Sequence, residues 1–244
     1  MSIITKAVSF LTAVAIAVTG FIMRFTRNII PGQGEVSPKV TTALDGTNKK
    51  LSIEEIVAVY NETVSAMSKK RVIKADSFVT VEKIETSLSV PVDSFVTAFN
   101  NSLNKSNQKQ KIAPSAPLKA SDILSAKAKE SGRYIEIEMK AKNCKVSMTG
   151  SDKDSVIGRI GCGMGNGSDI LKVMGVKLSD KADDSIAQYK NIRVYCLIDT
   201  EKKTIVNGEW SYDCDCSVKN AVITAMGMNE KTDINIYLDI INQI

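Results

Sequence analysis

The sequence predicts an α+β domain: an antiparallel β-sheet arranged as a meander, packed by one long and one or two short helices. An N-terminal transmembrane or signal helix is expected ahead of it. Three observations predict this. Residues 7–23, AVSFLTAVAIAVTGFIM, carry no charge. Residues 51–70 place apolar side chains at helical spacing along one face, beginning at a capping box. The C-terminal third alternates apolar and polar residues between short turn signals, the pattern of successive antiparallel strands.

The apolar run is flanked by Lys6, Arg24 and Arg27. As a helix its seventeen residues reach about 25 Å, near the short end of a membrane span. Ala15, Ile16 and Ala17 offer a cleavage pattern, but Phe21, Ile22 and Met23 continue the apolar stretch beyond it. An uncleaved signal-anchor in residues 1–28 is therefore favoured over a removed signal peptide. The expected membrane contact is residues 7–23. Residues 29–50 include the sequence PGQGEVSPKV and read as a linker. Residues 51–244 form the expected single domain.

Charge argues against one class of function. The formal net charge is +5, yet three of the 32 bases flank the apolar run and no acid precedes Glu35. The remaining 29 bases face 27 acids, so the domain is nearly neutral and lacks the basic excess of a nucleic-acid surface. The chain has no histidine. That removes Ser-His-Asp and Cys-His catalysis and a Cys/His zinc site.

Ser52 and Glu55 form the capping box of the first helix. Ile53, Ile56, Val57, Tyr60, Val64 and Met67 form its apolar face. Glu54 and Glu55 lie at its start, and Lys69 and Lys70 close it, which complements the helix dipole. Residues 71–90 are rich in β-branched types and predict strand. Residues 92–103 predict a short helix. Residues 104–118, NKSNQKQKIAPSAPL, read as a surface excursion or flap. Residues 123–140 predict a hairpin turning at Glu130-Ser131-Gly132-Arg133. Strands follow at 192–198, 204–218, 221–228 and 233–241. Asp199–Lys203 is a turn, and further breaks are expected at Asn207-Gly208 and Asn229-Glu230-Lys231.

The tract GRIGCGMGNG, residues 158–167, precedes a short helix expected at 169–174, capped by Ser168. Gly161, Gly163, Gly165, Gly167 and Ser168 are an anion-loop candidate, because glycine-rich turns present backbone N–H groups. The spacing matches neither the dinucleotide fingerprint nor a P-loop, so a tightly turned loop is the plainer reading. No cofactor motif is present.

Five cysteines, Cys144, Cys162, Cys196, Cys214 and Cys216, are candidate disulfide partners outside the cytosol. Cys214 and Cys216 share a strand face and would not readily bond each other. Cys196 with Cys214 or Cys216, and Cys144 with Cys162, are conceivable pairs; five reduced, buried thiols are the alternative. Trp210, Tyr212, Cys214, Cys216 and Val218 are expected on one face of their strand, with Ser211, Asp213, Asp215 and Ser217 on the other. Glu136, Glu138, Asp213 and Asp215 are the carboxylates that a glycosidase-like hydrolase would need to gather, and Asp213, Asp215 and Glu209 those a hard cation would need. A solvated face is the simpler account.

The layout of apolar N-terminus, short linker and a helix of the form SIEEIVAVYNE ahead of a β-rich domain resembles that of exported or membrane-anchored proteins of Gram-positive bacteria, many of them uncharacterised. The resemblance implies an extracytoplasmic domain and brings no catalytic motif. Three functions remain open: non-enzymatic ligand or partner binding at the envelope, a carboxylate-dependent hydrolase, and an anchored cytoplasmic regulator. The first predicts an apolar concavity between helix and sheet.

Overall fold

The computed structural model describes residues 47–49, 51–70, 72–87, 92–93, 96–97, 100–101, 108–148, 150–163, 176–177, 184–225 and 228–244. The expected membrane run and the helix expected at 169–174 lie outside these residues. Among the described residues no helix is long and apolar enough to cross a membrane.

The elements are β1 (Thr47–Lys49), α1 (Ile53–Lys70), β2 (Ile73–Thr86), β3 (Gln108–Ile112), a 3₁₀ turn (Ala120–Asp122), β4 (Ile123–Ser131), β5 (Tyr134–Ala141), β6 (Cys144–Ser147), α2 (Val156–Ile160), β7 (Val176–Lys177), β8 (Ile186–Asp199), β9 (Thr204–Ala225) and β10 (Met228–Gln243). One antiparallel sheet runs in the order β1-β4-β5-β8-β9-β10-β2-β3, with β6 on β8 and β7 on β9. The α+β class and the antiparallel meander expected from the sequence are both present. β4, β5, β8, β9 and β10 are successive neighbours.

α1 starts as its capping box dictates. The backbone N–H of Ser52 donates to Glu55 Oε2 at 2.7 Å, and that of Glu55 donates to Ser52 Oγ at 3.2 Å. Ile56, Val57, Tyr60, Val64 and Met67 are buried. They pack over a sheet face built by strict alternation. On β9, Trp210, Tyr212, Cys214, Cys216 and Val218 are buried, while Ser211, Asp213, Asp215 and Ser217 face outward and are partly exposed. The two-residue period of a strand sends each set to its own side.

Four sequence expectations are corrected. The linker ends early: Thr47–Lys49 pair with β4 as an edge strand. Residues 104–118 are not only an excursion, because Gln108–Ile112 pair with β2. Lys109 and Lys111 charge that edge, which discourages pairing with other chains. Residues 204–225 form one 22-residue strand rather than two. Asn207-Gly208 does not end it; the ladder instead shifts register between Leu197 and Ile198. Asn229-Glu230-Lys231 lies within β10. The structure also adds a helix at Val156–Ile160, where no element was expected. Ser155 is its N-cap and Gly161, at φ 90°, closes it in the left-handed region.

β2 lies beside the C-terminal strand β10, with Ile236 opposite Ile84 and Gln243 opposite Asp76. Its outer edge is capped by Asn100, whose side chain accepts from the N–H of Val81 at 2.8 Å and donates to its carbonyl at 2.9 Å. The described positions 92–93, 96–97 and 100–101 are helical, as expected for residues 92–103.

Candidate functional site

The glycine tract is built for close approach. A Cβ on Gly158 would lie 2.1 Å from the carbonyl oxygen of Asp152, and one on Gly161 would lie 2.4 Å from the nitrogen of Pro114. Backbone bonds from Ala113 N–H to Gly161 O (2.8 Å) and from Ser115 N–H to Gly158 O (3.0 Å) lash the segment after β3 to α2. At Gly163 the space a Cβ would take holds the Asp152 carboxylate, 2.1 Å away. Of the anion-loop candidates, Gly161 and Gly163 thus serve packing within the chain. Gly165, Gly167 and Ser168 lie outside the described residues.

The five thiols are free, and four are buried. Register separates the pairs the sequence suggested on the sheet. Cys196 sits opposite Gly208, whereas Cys214 sits opposite Tyr189 and Leu238. The six residues from 208 to 214 span roughly 20 Å, far beyond the ~7 Å Cα reach of a disulfide. Cys162 packs behind α2, where burial pushes its thiol well above the ordinary range; burial does the same at Cys196. Cys144 is half-buried, and burial raises its thiol against opposing hydrogen bonds from the backbone of Ile157 and Val156. Cys214 and Cys216 share a face as expected, and their sulfurs lie 3.7 Å apart.

The outer sheet face carries the carboxylates. Glu138 is opposite Tyr195, which is opposite Glu209, which is opposite Gln243. Asp213 lies four residues further along β9, about 13 Å along the strand and two strand spacings, about 10 Å, across from Glu138. The four acids singled out from sequence form two separate i, i+2 pairs, Glu136 with Glu138 on β5 and Asp213 with Asp215 on β9. Each pair stands about 6.7 Å apart along its strand, and the two pairs do not converge in one cleft. Asp215 and Asp213 have local partners. Lys190 pairs with Asp215. Asn191 Nδ2 donates to Asp213 at 2.5 Å from a bulge where Asn191 has φ 51°. Burial, then the charges of Glu136 and Glu138, pushes Tyr195 up to about 12. One close pair escaped sequence reading: Asp239 is directly opposite Asp213. Burial first, then Asp213 and Glu82, raises the Asp239 carboxyl. Pairing across strands is invisible in alternation alone. Among the described residues no group of three or more Cys, Asp or Glu is placed to hold a metal ion.

The expected concavity between helix and sheet is filled. Tyr60, Trp210, Ile137 and Met139 are at most 2% exposed there. A concavity lies instead on the flank of α1, a groove of about 340 Å³ between the helix and the segment after β3. Asn61, Val64, Ser65, Ser68 and Lys69 form one wall, and Pro114, Ala116 and Pro117 the other. Asn61 fixes the width: it donates to Leu118 O at 2.8 Å and accepts from Leu118 N–H at 2.9 Å. Asp122 anchors the far end of the segment by a bidentate bond to Arg159 (2.7 and 2.8 Å) while accepting from Lys119 N–H at 3.0 Å. The two prolines cannot donate backbone hydrogen bonds and hold φ near −65°. The groove therefore offers rigid apolar rings facing two hydroxyls and an ammonium. In the sequence this stretch reads only as a polar, proline-containing surface excursion.

Comparison with protein families, curated proteins and solved structures finds no match.

Proposed function

We propose that this chain is a non-enzymatic binding domain held at a bacterial membrane through residues 7–23, with the domain outside the cytoplasm, or secreted where the signal is removed. The α1 groove is the observation that carries the binding reading. Its size is at the lower end for ligand sites, and its mixture of proline rings with a few polar groups suits orientation of a bound segment. Ser65 and Ser68 hydroxyls would meet carbonyls of an extended partner segment, and Lys69 an acidic group. The separation of the Glu136/Glu138 pair on β5 from the Asp213/Asp215 pair on β9, with no cleft between them among the described residues, speaks against the hydrolase reading.

Attachment to the membrane is supported by the uncharged run and its basic flanks. Removal of residues 1–28 is expected to shift the chain from the membrane fraction to the soluble one. Protease shaving of intact cells is expected to digest the domain. Protection of the domain overturns the extracytoplasmic placement. A second reading, an anchored regulator facing the cytoplasm, is favoured by five free thiols and by Arg24 and Arg27 after the apolar run. For binding, a photo-crosslinking residue at Ser65 is compared with one at Ser211 on the outer face. Equal labelling at both positions counts against the groove.

A further inference from the structure

Cys214 and Cys216 point the same way from one strand, with sulfurs 3.7 Å apart and both side chains at most 1% exposed. The strand is pinned on both sides. Cys214 is in register with Tyr189 and Leu238, and Cys216 with Ala187 and Ile236. Two residues of extended strand span about 6.7 Å. The Cβ atoms therefore cannot close to the roughly 3.5–4.5 Å that a disulfide requires. An ion between the sulfurs meets no such obstacle. With metal–sulfur bonds of about 2.3 Å, as for zinc thiolates, a linear S–metal–S unit spans about 4.6 Å. The sulfurs reach that by leaning apart, toward the natural spacing of their Cβ atoms.

We propose that Cys214 and Cys216 form a two-coordinate site for a soft monovalent cation of the copper(I) class. Thiol ligands select such ions over hard cations. Of the register neighbours, Leu238, Ala187 and Ile236 are aliphatic, and Tyr189 offers only a hard phenol oxygen, which soft ions disfavour. Cys144 lies beyond Tyr189, two strand spacings or about 10 Å away, which holds the coordination number low. Charge balance follows from the apolar surroundings, where an uncompensated ion is costly. Cu(I) enters, one thiol gives its proton to solvent and becomes thiolate, and the other coordinates as the neutral thiol. The complex is neutral, and no electron changes hands.

The test is anaerobic titration of the full chain in detergent with Cu(I), against a chromogenic Cu(I) chelator. One equivalent withheld from the chelator, with one proton released per ion, is the expected result. C214A and C216A each lose that equivalent, whereas C144A, C162A and C196A retain it. No withheld ion, or undiminished retention in C214A, overturns the proposal. X-ray absorption at the copper edge of the unsubstituted chain serves independently of how the variants fold. Two sulfur neighbours support the site; nitrogen or oxygen ligands, or three or more sulfurs, sink it.

Discussion

Trp210 donates its indole N–H to the hydroxyl of Tyr60 at 3.0 Å, and Tyr60 in turn donates to the carbonyl of Ile160 at 2.9 Å. This chain of two bonds joins β9, α1 and α2 through the middle of the core. Both side chains are fully buried, so neither bond exchanges with water. Burial, chiefly, raises the Tyr60 phenol well above its ordinary value.

Tyr60→Phe leaves the indole N–H and the Ile160 carbonyl without their partner. Each orphaned buried group costs about 1–3 kcal/mol. We expect a loss of about 2–4 kcal/mol in urea unfolding with an unchanged slope. Trp210 is the only tryptophan, so its fluorescence reports the transition. A loss below about 0.5 kcal/mol, the level of an ordinary surface change, would refute the linking role.

Asp122 and Arg159 make a mostly buried bidentate pair, with side chains 8% and 12% exposed. Burial pushes the Asp122 carboxyl up, but the Arg159 and Lys119 hydrogen bonds outweigh it and hold the value below the ordinary range. The folded value lies below the unfolded one. The stabilisation is thus present above the unfolded value of about 3.9 and disappears as pH falls through the folded value. Asp122→Asn is expected to cost about 3 kcal/mol at neutral pH. Its acid unfolding should also be shallower than that of the parent. Parallel acid limbs in the two proteins would contradict this.

Asp239 should show the opposite sign. Its carboxyl is raised by burial and by facing Asp213. The stability linked to this group is full below the unfolded value and is lost as pH rises through the folded one. Asp239→Asn is expected to stabilise the fold by about 0.2–1 kcal/mol at neutral pH, the scale of like charges directly opposed across strands. The gain should vanish at a pH where Asp239 is already protonated. A stabilisation that persists in acid would mean that charge is not its cause.

Gly161 combines a left-handed backbone with contact to Pro114. Gly161→Ala is expected to lose about 1–3 kcal/mol, measured by thermal unfolding. Millimolar phosphate should leave the melting temperature of the parent unchanged. A phosphate-dependent rise would restore the anion-loop reading.

Much of this architecture was legible locally. The Ser52 and Glu55 pair located the start of α1, and the apolar spacing from Ile56 to Met67 identified its buried face. Alternation along residues 210–218 assigned each side chain to the core or the outer face before any partner strand was known. The segment after β3 was harder. Lys109 and Lys111 carry too little apolar signal to announce an edge strand, and Pro114 to Pro117 look like any polar connection until α1 lies against them. α2 was obscured because Val156 and Ile157 suit strand as well as helix, and only the Ser155 cap and the Gly161 turn decide between them.

Sequence alone determined the antiparallel class, the long helix, the near-neutral domain and the exclusion of histidine chemistry. These depend on periodicities and counts that a short stretch of chain carries by itself. Tertiary structure decided which strands became neighbours. It set β2 beside β10, opposed Asp239 to Asp213, took Cys196 away from Cys214, and formed the groove between α1 and Pro114–Pro117. A two-residue period states which face a side chain takes. The partner across the ladder depends on how the whole apolar surface is buried at once, including strands more than a hundred residues apart.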